Sequence, residues 1–212
     1  MKIAIWDLPT RLFHWLVVVL VALQWWTAEE EMMDLHIVLG QIMLGLVLFR
    51  IFWGLIGGST ARFATFVKGP RAILAYLGGR AKAGVGHNPL GALSVVALLA
   101  LLAVQVGLGL FASDEDGLYS GPLAHWISFE ASRILAERHE QMFDVLLVLI
   151  GLHVAAILFY LVVKRDNLIA PMVGGGREGR DGEAPMKPAP AWHFLLAAGA
   201  AAGLTLWIAS GL

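Results

Sequence analysis

Five apolar stretches, each about twenty residues long, constrain this 212-residue chain more than any other feature. They run from Thr10 to Ala28, Leu35 to Ile56, Leu90 to Ala112, Met142 to Val163 and Trp192 to Leu212. About twenty apolar residues in a helix cover the roughly 30 Å of a bilayer's hydrocarbon core. A backbone in hydrocarbon must satisfy its own hydrogen bonds, which leaves helices or closed barrels. Continuous runs of this length read as helices. Composition agrees, with 58% of residues hydrophobic and 15% charged, a pairing seldom found in soluble domains. The chain is therefore expected to be all-α and integral to a membrane. It has no soluble domain of useful size and nothing that points to nucleic acid.

The chain has no cysteine. That excludes thiolate-held iron–sulfur clusters, disulfides and covalent c-type haem, which needs C-x-x-C-H. Redox chemistry here would have to use histidine-bound cofactors. Lys2 followed by an apolar run resembles a signal peptide. Asp7, Pro9 and Arg11 interrupt it, however, and no small-residue cleavage site follows at Trp25-Trp26-Thr27. It reads as a retained first span.

The loops sort by charge. Glu29, Glu30, Glu31 and Asp34 follow the first span; Asp114, Glu115 and Asp116 follow the third, with Glu130, Glu137 and Glu140 against Arg133 and Arg138 at the start of the next helix. The second loop, Gly57 to Asn88, carries Arg62, Lys68, Arg71, Arg80 and Lys82 without an acid, and Lys164, Arg165, Arg177, Arg180 and Lys187 follow the fourth span. The positive-inside rule places the N-terminus and the basic segments in the cytoplasm and the acidic loops and C-terminus outside. A multi-pass protein of the cytoplasmic (inner) membrane is expected. Within the second loop, Pro70 to Leu77 reads as a short interfacial helix ended by Gly78-Gly79.

The organisation expected is a four-helix unit over residues 1–165, a cytoplasmic linker over 166–190 and a fifth helix over 191–212. The stretch from Val173 to Pro190 is rich in Gly, Pro and charge and reads as mobile. Gly199 and Gly203 form a GxxxG pattern, which suits close packing on a partner or second copy, or docking on the chain's own bundle.

Histidines supply the chemistry. His139 and His153 are fourteen residues apart on the fourth span, almost four turns, so they share a face about 21 Å apart along the axis. His14 opens the first span at the cytoplasmic end and His36 opens the second at the outer end. Depth pairs His14 with His153 and His36 with His139. Two neutral imidazoles make a low-spin haem suited to electron transfer, and bundles house such groups between facing helices. Four histidines at two matched depths point to two bis-histidine haems. Structural histidines or another metal are the alternative, with zinc disfavoured because neither pair has a carboxylate or thiolate beside it.

Arg50 lies fourteen residues after His36, toward the cytoplasmic end. A haem propionate is a natural partner for its guanidinium; snorkelling to the surface is the alternative. Arg11 and Arg138 are weaker candidates. His87, His125 and His193 have no depth-matched mate and read as structural, with His125 a possible contact for an outer partner. Asp144 is expected to point away from the His139–His153 face. No catalytic residue is assigned.

At these residues the chain resembles the bacterial cytochrome b561 group, which includes the cytochrome b subunits of nickel–iron hydrogenases. The resemblance is carried by Trp6-Asp7-Leu8-Pro9-Thr10-Arg11-Leu12-Phe13-His14-Trp15, Leu35-His36-Ile37-Val38-Leu39-Gly40, Leu48-Phe49-Arg50-Ile51-Phe52-Trp53-Gly54, His87-Asn88-Pro89-Leu90-Gly91-Ala92 and the paired histidines of span four. It covers about Ile3 to Lys164. It implies a four-helix dihaem quinone oxidoreductase with two haem b groups, ligated by His14, His36, His139 and His153. The fifth span departs from many members, which stop at four.

Three functions compete. One is a respiratory-chain subunit passing electrons between a periplasmic redox protein, a c-type cytochrome or hydrogenase subunit, and the quinone pool. Another is a self-contained superoxide:quinone oxidoreductase. The last is a non-redox scaffold or transporter. The outer segments named above hold ten acids against two bases, a field that repels superoxide and attracts a basic protein.

Overall fold

A computed structural model describes residues 1–80, 85–179 and 182–211. Lys82 and Arg180, two of the charges that the loop-charge reading assigns to the cytoplasm, and Leu212, the end of the fifth span, lie outside the described residues. The elements in chain order are β1 (Lys2–Ala4), α1 (Leu8–Glu29), α2 (Met33–Ile56), α3 (Phe63–Phe66), α4 (Pro70–Leu77), α5 (Pro89–Phe111), α6 (Phe129–Val162), α7 (Ile169–Gly174), β2 (Gly176–Glu178) and α8 (Ala191–Ala209). Among the described residues five helices are long and apolar enough to cross a membrane: α1, α2, α5, α6 and α8. Their boundaries follow the apolar stretches, except that α6 starts thirteen residues before Met142. Its first turns carry the charges of Glu130, Arg133, Glu137, Arg138 and Glu140.

Helix ends follow local chemistry. Asp7 caps α1, its Oδ1 accepting the Thr10 N–H at 2.9 Å. Asn88 does the same for α5 at the Gly91 N–H, 2.7 Å, with Pro89 at the first helical position, where its missing N–H costs nothing. Helix α4 forms over the predicted residues, and Gly79 after it has φ +68°, a backbone that glycine adopts freely. Large apolar side chains on α6 are uncovered, Val148 at 63% and Leu152 at 64%, as suits a helix facing lipid.

The chain forms two compact units. Unit 1 comprises Met1–Phe13, Arg50–Ala97 and Leu149–Ala197. Its core includes Ile3, Ile5, Trp53, Phe66 and Ala92. Gly54 admits the Phe63 ring, which a Cβ there would meet at 2.1 Å. Its two-stranded sheet pairs β1 with β2 antiparallel, Lys2 opposite Glu178 and Ala4 opposite Gly176. Unit 2 comprises His14–Phe49, Leu98–Val148 and Ala198–Leu212, around Leu20, Met43, Leu44, Val47, Leu102 and Leu146.

The segment after α6 differs from the mobile linker that its composition suggests. Beyond the β1–β2 ladder, the Met186 N–H donates to the Ala4 carbonyl at 2.9 Å, and the Ser59 N–H donates to the Lys187 carbonyl at 2.9 Å. Gly, Pro and charge reduce helix formation but leave a backbone free to pair with another strand, so composition alone does not reveal the docking. The start of α8 is tied to the same unit. His193 Nδ1 lies 2.6 Å from the Ile56 carbonyl, one of the acceptors left open at the end of α2. Within unit 2, Gly45 of α2 lets Thr205 of α8 approach, at 3.3 Å from where a Cβ would sit. Gly199 and Gly203 face open space, while Ala197 and Ala201 are buried. The docked face of α8 is therefore the alanine face.

Candidate functional site

In unit 2, α2 and α6 bring His36 and His139 together, with ring centroids 6.1 Å apart and planes crossed at 83°. Both rings are fixed from behind. His139 Nδ1 is 2.9 Å from the Gln105 carbonyl, and the Gln105 side-chain Nε2 donates back to the His139 carbonyl at 2.9 Å. His36 Nδ1 is 3.1 Å from the Gln24 carbonyl and 3.3 Å from the Thr27 hydroxyl. Thr27, fully buried, itself donates to the Leu23 carbonyl at 2.9 Å. An Nδ1–H donated to a backbone carbonyl leaves Nε2 with a free lone pair, the tautomer a metal needs.

The pair borders a cavity of about 610 Å³, lined also by Gln24, Gln105 and Gly109. A side chain at Gly109 would crowd the His139 ring at 3.0 Å. A metal about 2 Å from a nitrogen of each ring separates the two centroids by about 6 Å, so the observed spacing fits one bis-imidazole iron. Among the described residues no group of three or more His, Cys, Asp or Glu is placed to hold a metal ion. Glu29, Asp114, Glu140 and Asp144 also line this cavity. Asp144, expected to point away from the His139–His153 face, thus lines the same cavity as His139, which wraps more of α6 than one histidine face.

Unit 1 holds His153, Arg50 and Arg11; His14 belongs to unit 2, where its ring meets Trp15 edge-on at 4.9 Å. His153 Nδ1 is 3.4 Å from the Ser94 hydroxyl. Arg50 is 3% exposed, so it does not snorkel to water. It sits 4.9 Å over the Phe63 ring and interacts electrostatically with Asp7. Asp7 is itself buried and accepts the Trp53 indole N–H at 3.2 Å. Arg50 Nη1 and Arg11 Nε are buried without a hydrogen-bond partner among the described residues. Arg11 packs against Gly175, where φ is +84° and a Cβ would meet Nη1 at 2.4 Å. Two buried guanidinium nitrogens with open valence, in the unit of His153, suit an anionic group such as a propionate.

The matches with known proteins follow this geometry. A family model described as prokaryotic cytochrome b561 matches residues 5–175. The chain belongs to the prokaryotic cytochrome b561 family. It is similar to a probable Ni/Fe-hydrogenase B-type cytochrome subunit of Azotobacter chroococcum mcd 1, 27% identical over 213 aligned positions covering 84% of this chain and 89% of the relative. The like-named protein of Azotobacter vinelandii is 26% identical over the same shares. No solved structure matches significantly. Membership makes this a multi-pass membrane protein of electron transfer and implies haem b, the cofactor for which the His36–His139 cavity is suited.

One residue that sequence reasoning left as a helix-entry histidine is more than that in this b561 chain. His87 is enclosed between Trp6 and Phe66, each ring centroid 4.6 Å away. Burial, followed by the charge of Arg50 and by His153, lowers its pKa to about 3, so it stays neutral in the cell. Nδ1 has no hydrogen-bond partner among the described residues. The ring lines a second cavity of about 410 Å³ with Ser59, Thr60, Phe66, Lys68 and Met186. Beside it, Asn88 Nδ2 donates to the Tyr160 hydroxyl at 2.9 Å, and Tyr160 and Tyr76 share a hydrogen bond of 2.7 Å. No spacing signal marks His87, because its neighbours come from distant parts of the chain. Gln105 is different: an amide amid an apolar span is costly enough to be a signal in itself.

Proposed function

We propose that this chain is a dihaem membrane subunit that carries electrons between a periplasmic redox protein and the quinone pool. The observation that carries the proposal is the His36–His139 pair, crossed at 6.1 Å with each Nδ1 beside a backbone carbonyl. Haem bound there supplies one-electron transfer without atom transfer. The protein fixes the ligand tautomer, orients both rings and keeps that cavity largely apolar. The second centre rests on sequence depth, which pairs His14 with His153. Arg50 and Arg11 supply the cationic partners for its propionates. Reduction of a quinone to a quinol would take two electrons and two protons, the electrons supplied one at a time by haem held at these residues.

Loop charges support a cytoplasmic N-terminus and a periplasmic C-terminus. The relatives' names favour a hydrogenase as the periplasmic partner; the acidic outer loops suit any basic redox protein, a c-type cytochrome included. The same field weighs against superoxide as the substrate. The open Gly199–Gly203 face of α8 is available to a partner helix or a second copy.

The test is haem quantitation with reduced-minus-oxidised spectra on the purified protein. Two low-spin b-type haems per chain are expected. His139→Ala should remove one and His153→Ala the other; a variant that keeps both haems low-spin overturns the ligand assignment.

A further inference from the structure

The last part of unit 1 is an addition to the family's domain. Residues 176–179 and 182–187 lie beyond the 5–175 match, yet they are fastened down at several points. The β1–β2 ladder holds one end. Arg177 then grips Glu183 with two hydrogen bonds of 2.7 and 2.8 Å. The Lys187 N–H donates to Ser59 Oγ at 2.9 Å, and the Ser59 N–H returns a bond to the Lys187 carbonyl at 2.9 Å. Ser59 borders the His87 cavity, so this exchange sets Ala184, Pro185 and Met186 along that cavity as a wall.

The lining is mainly apolar, with three hydroxyls, the His87 imidazole and the side chain of Lys68. Small-molecule sites of this size combine apolar walls with a few placed polar groups. His87 Nδ1 is a buried hydrogen-bonding atom that nothing among the described residues uses, and leaving a buried polar atom unused is costly. Phe66, its ring tilted 45° against His87, adds an aromatic surface to the lining. A flat ring carrying a carbonyl acceptor meets both demands. That is the chemistry of a quinone headgroup.

We infer that Ala184, Pro185 and Met186 complete a quinone-headgroup pocket in which His87 is the hydrogen-bonding anchor. The inference rests on the quinone reading above and extends it, because it assigns the fit of the headgroup to a segment outside the family domain. Methionine is an adaptable wall residue, and its size sets the width of the slot.

The experiment uses the haem-loaded full chain in detergent, reduced with dithionite and freed of excess, with decylubiquinone as oxidant. Met186→Trp fills the cavity and should raise the apparent KM for decylubiquinone at least tenfold, with kcat within about twofold and the haem spectrum unchanged. A photoreactive azido-quinone should label the peptide containing residues 182–187, and excess decylubiquinone should suppress the label. If wild type is oxidised by decylubiquinone while Met186→Trp keeps its KM, or if labelling falls only elsewhere, the pocket assignment is overturned. If wild-type haem is not oxidised by decylubiquinone at all, the quinone reading itself falls, and the inference with it.

Discussion

His87 illustrates how burial decides what a titratable side chain can do. Its unfolded value is about 6.5 and its folded value about 3. As pH drops below 6.5 the unfolded chain takes a proton that the native state refuses, so stability is lost between about 6.5 and 3. Thermal unfolding of the detergent-solubilised protein should show a lower Tm at pH 5 than at pH 7.5, and His87→Gln should flatten that dependence. An equal slope in both would contradict the burial argument. Arg50 is the complementary case, a cation kept in place with an open valence. A nearby positive charge favours the reduced form of an iron centre. Arg50→Gln should therefore lower the midpoint potential of one haem, by tens of millivolts, and leave the other unchanged in a redox titration. A shift in neither haem would remove Arg50 from the cofactor's surroundings.

At the scale of elements, short polar contacts at helix ends fix the apolar rods in place. Asp7 joins the start of α1 to Trp53 of α2 through the Thr10 and Trp53 donors, and its charge faces Arg50. Asp7→Ala removes a helix cap and a buried acceptor together, and should cost about 2 kcal/mol, read as a lower Tm. The tie of α8 to α2, His193 to the Ile56 carbonyl, explains why a segment with a linker's composition is not slack: both of its ends are anchored in unit 1. Asn88 serves two elements at once, capping α5 and bonding Tyr160 of α6.

For the whole molecule, loop charge is the main guide to orientation, and the cysteine-free chain makes it easy to check. Glu115, with its side chain 86% exposed, should react as Glu115→Cys with an impermeant maleimide applied to intact spheroplasts. Lys68→Cys, in the basic second loop, should react only after the membrane is opened. The reverse pattern would invert the proposed electron path.

The five spans, the helix over Pro70–Leu77 and the family itself were legible in the sequence. Each depends on local quantities: apolar run length, turn-forming glycines, and histidines spaced by whole helical turns. Depth alone was enough to match His36 with His139. Tertiary structure decided what those rules do not reach. Crossed rings with each Nδ1 beside a carbonyl require Gln24 and Gln105 on neighbouring helices. The burial of His87 requires Trp6 and Phe66, contributed by chain segments 81 and 21 residues away. The docking of Gly176–Glu178 depends on β1, at the far end of the chain. Periodicity reports which face of an element is apolar, whereas a hydrogen-bond partner or a cavity wall is set by which elements the folded chain brings together.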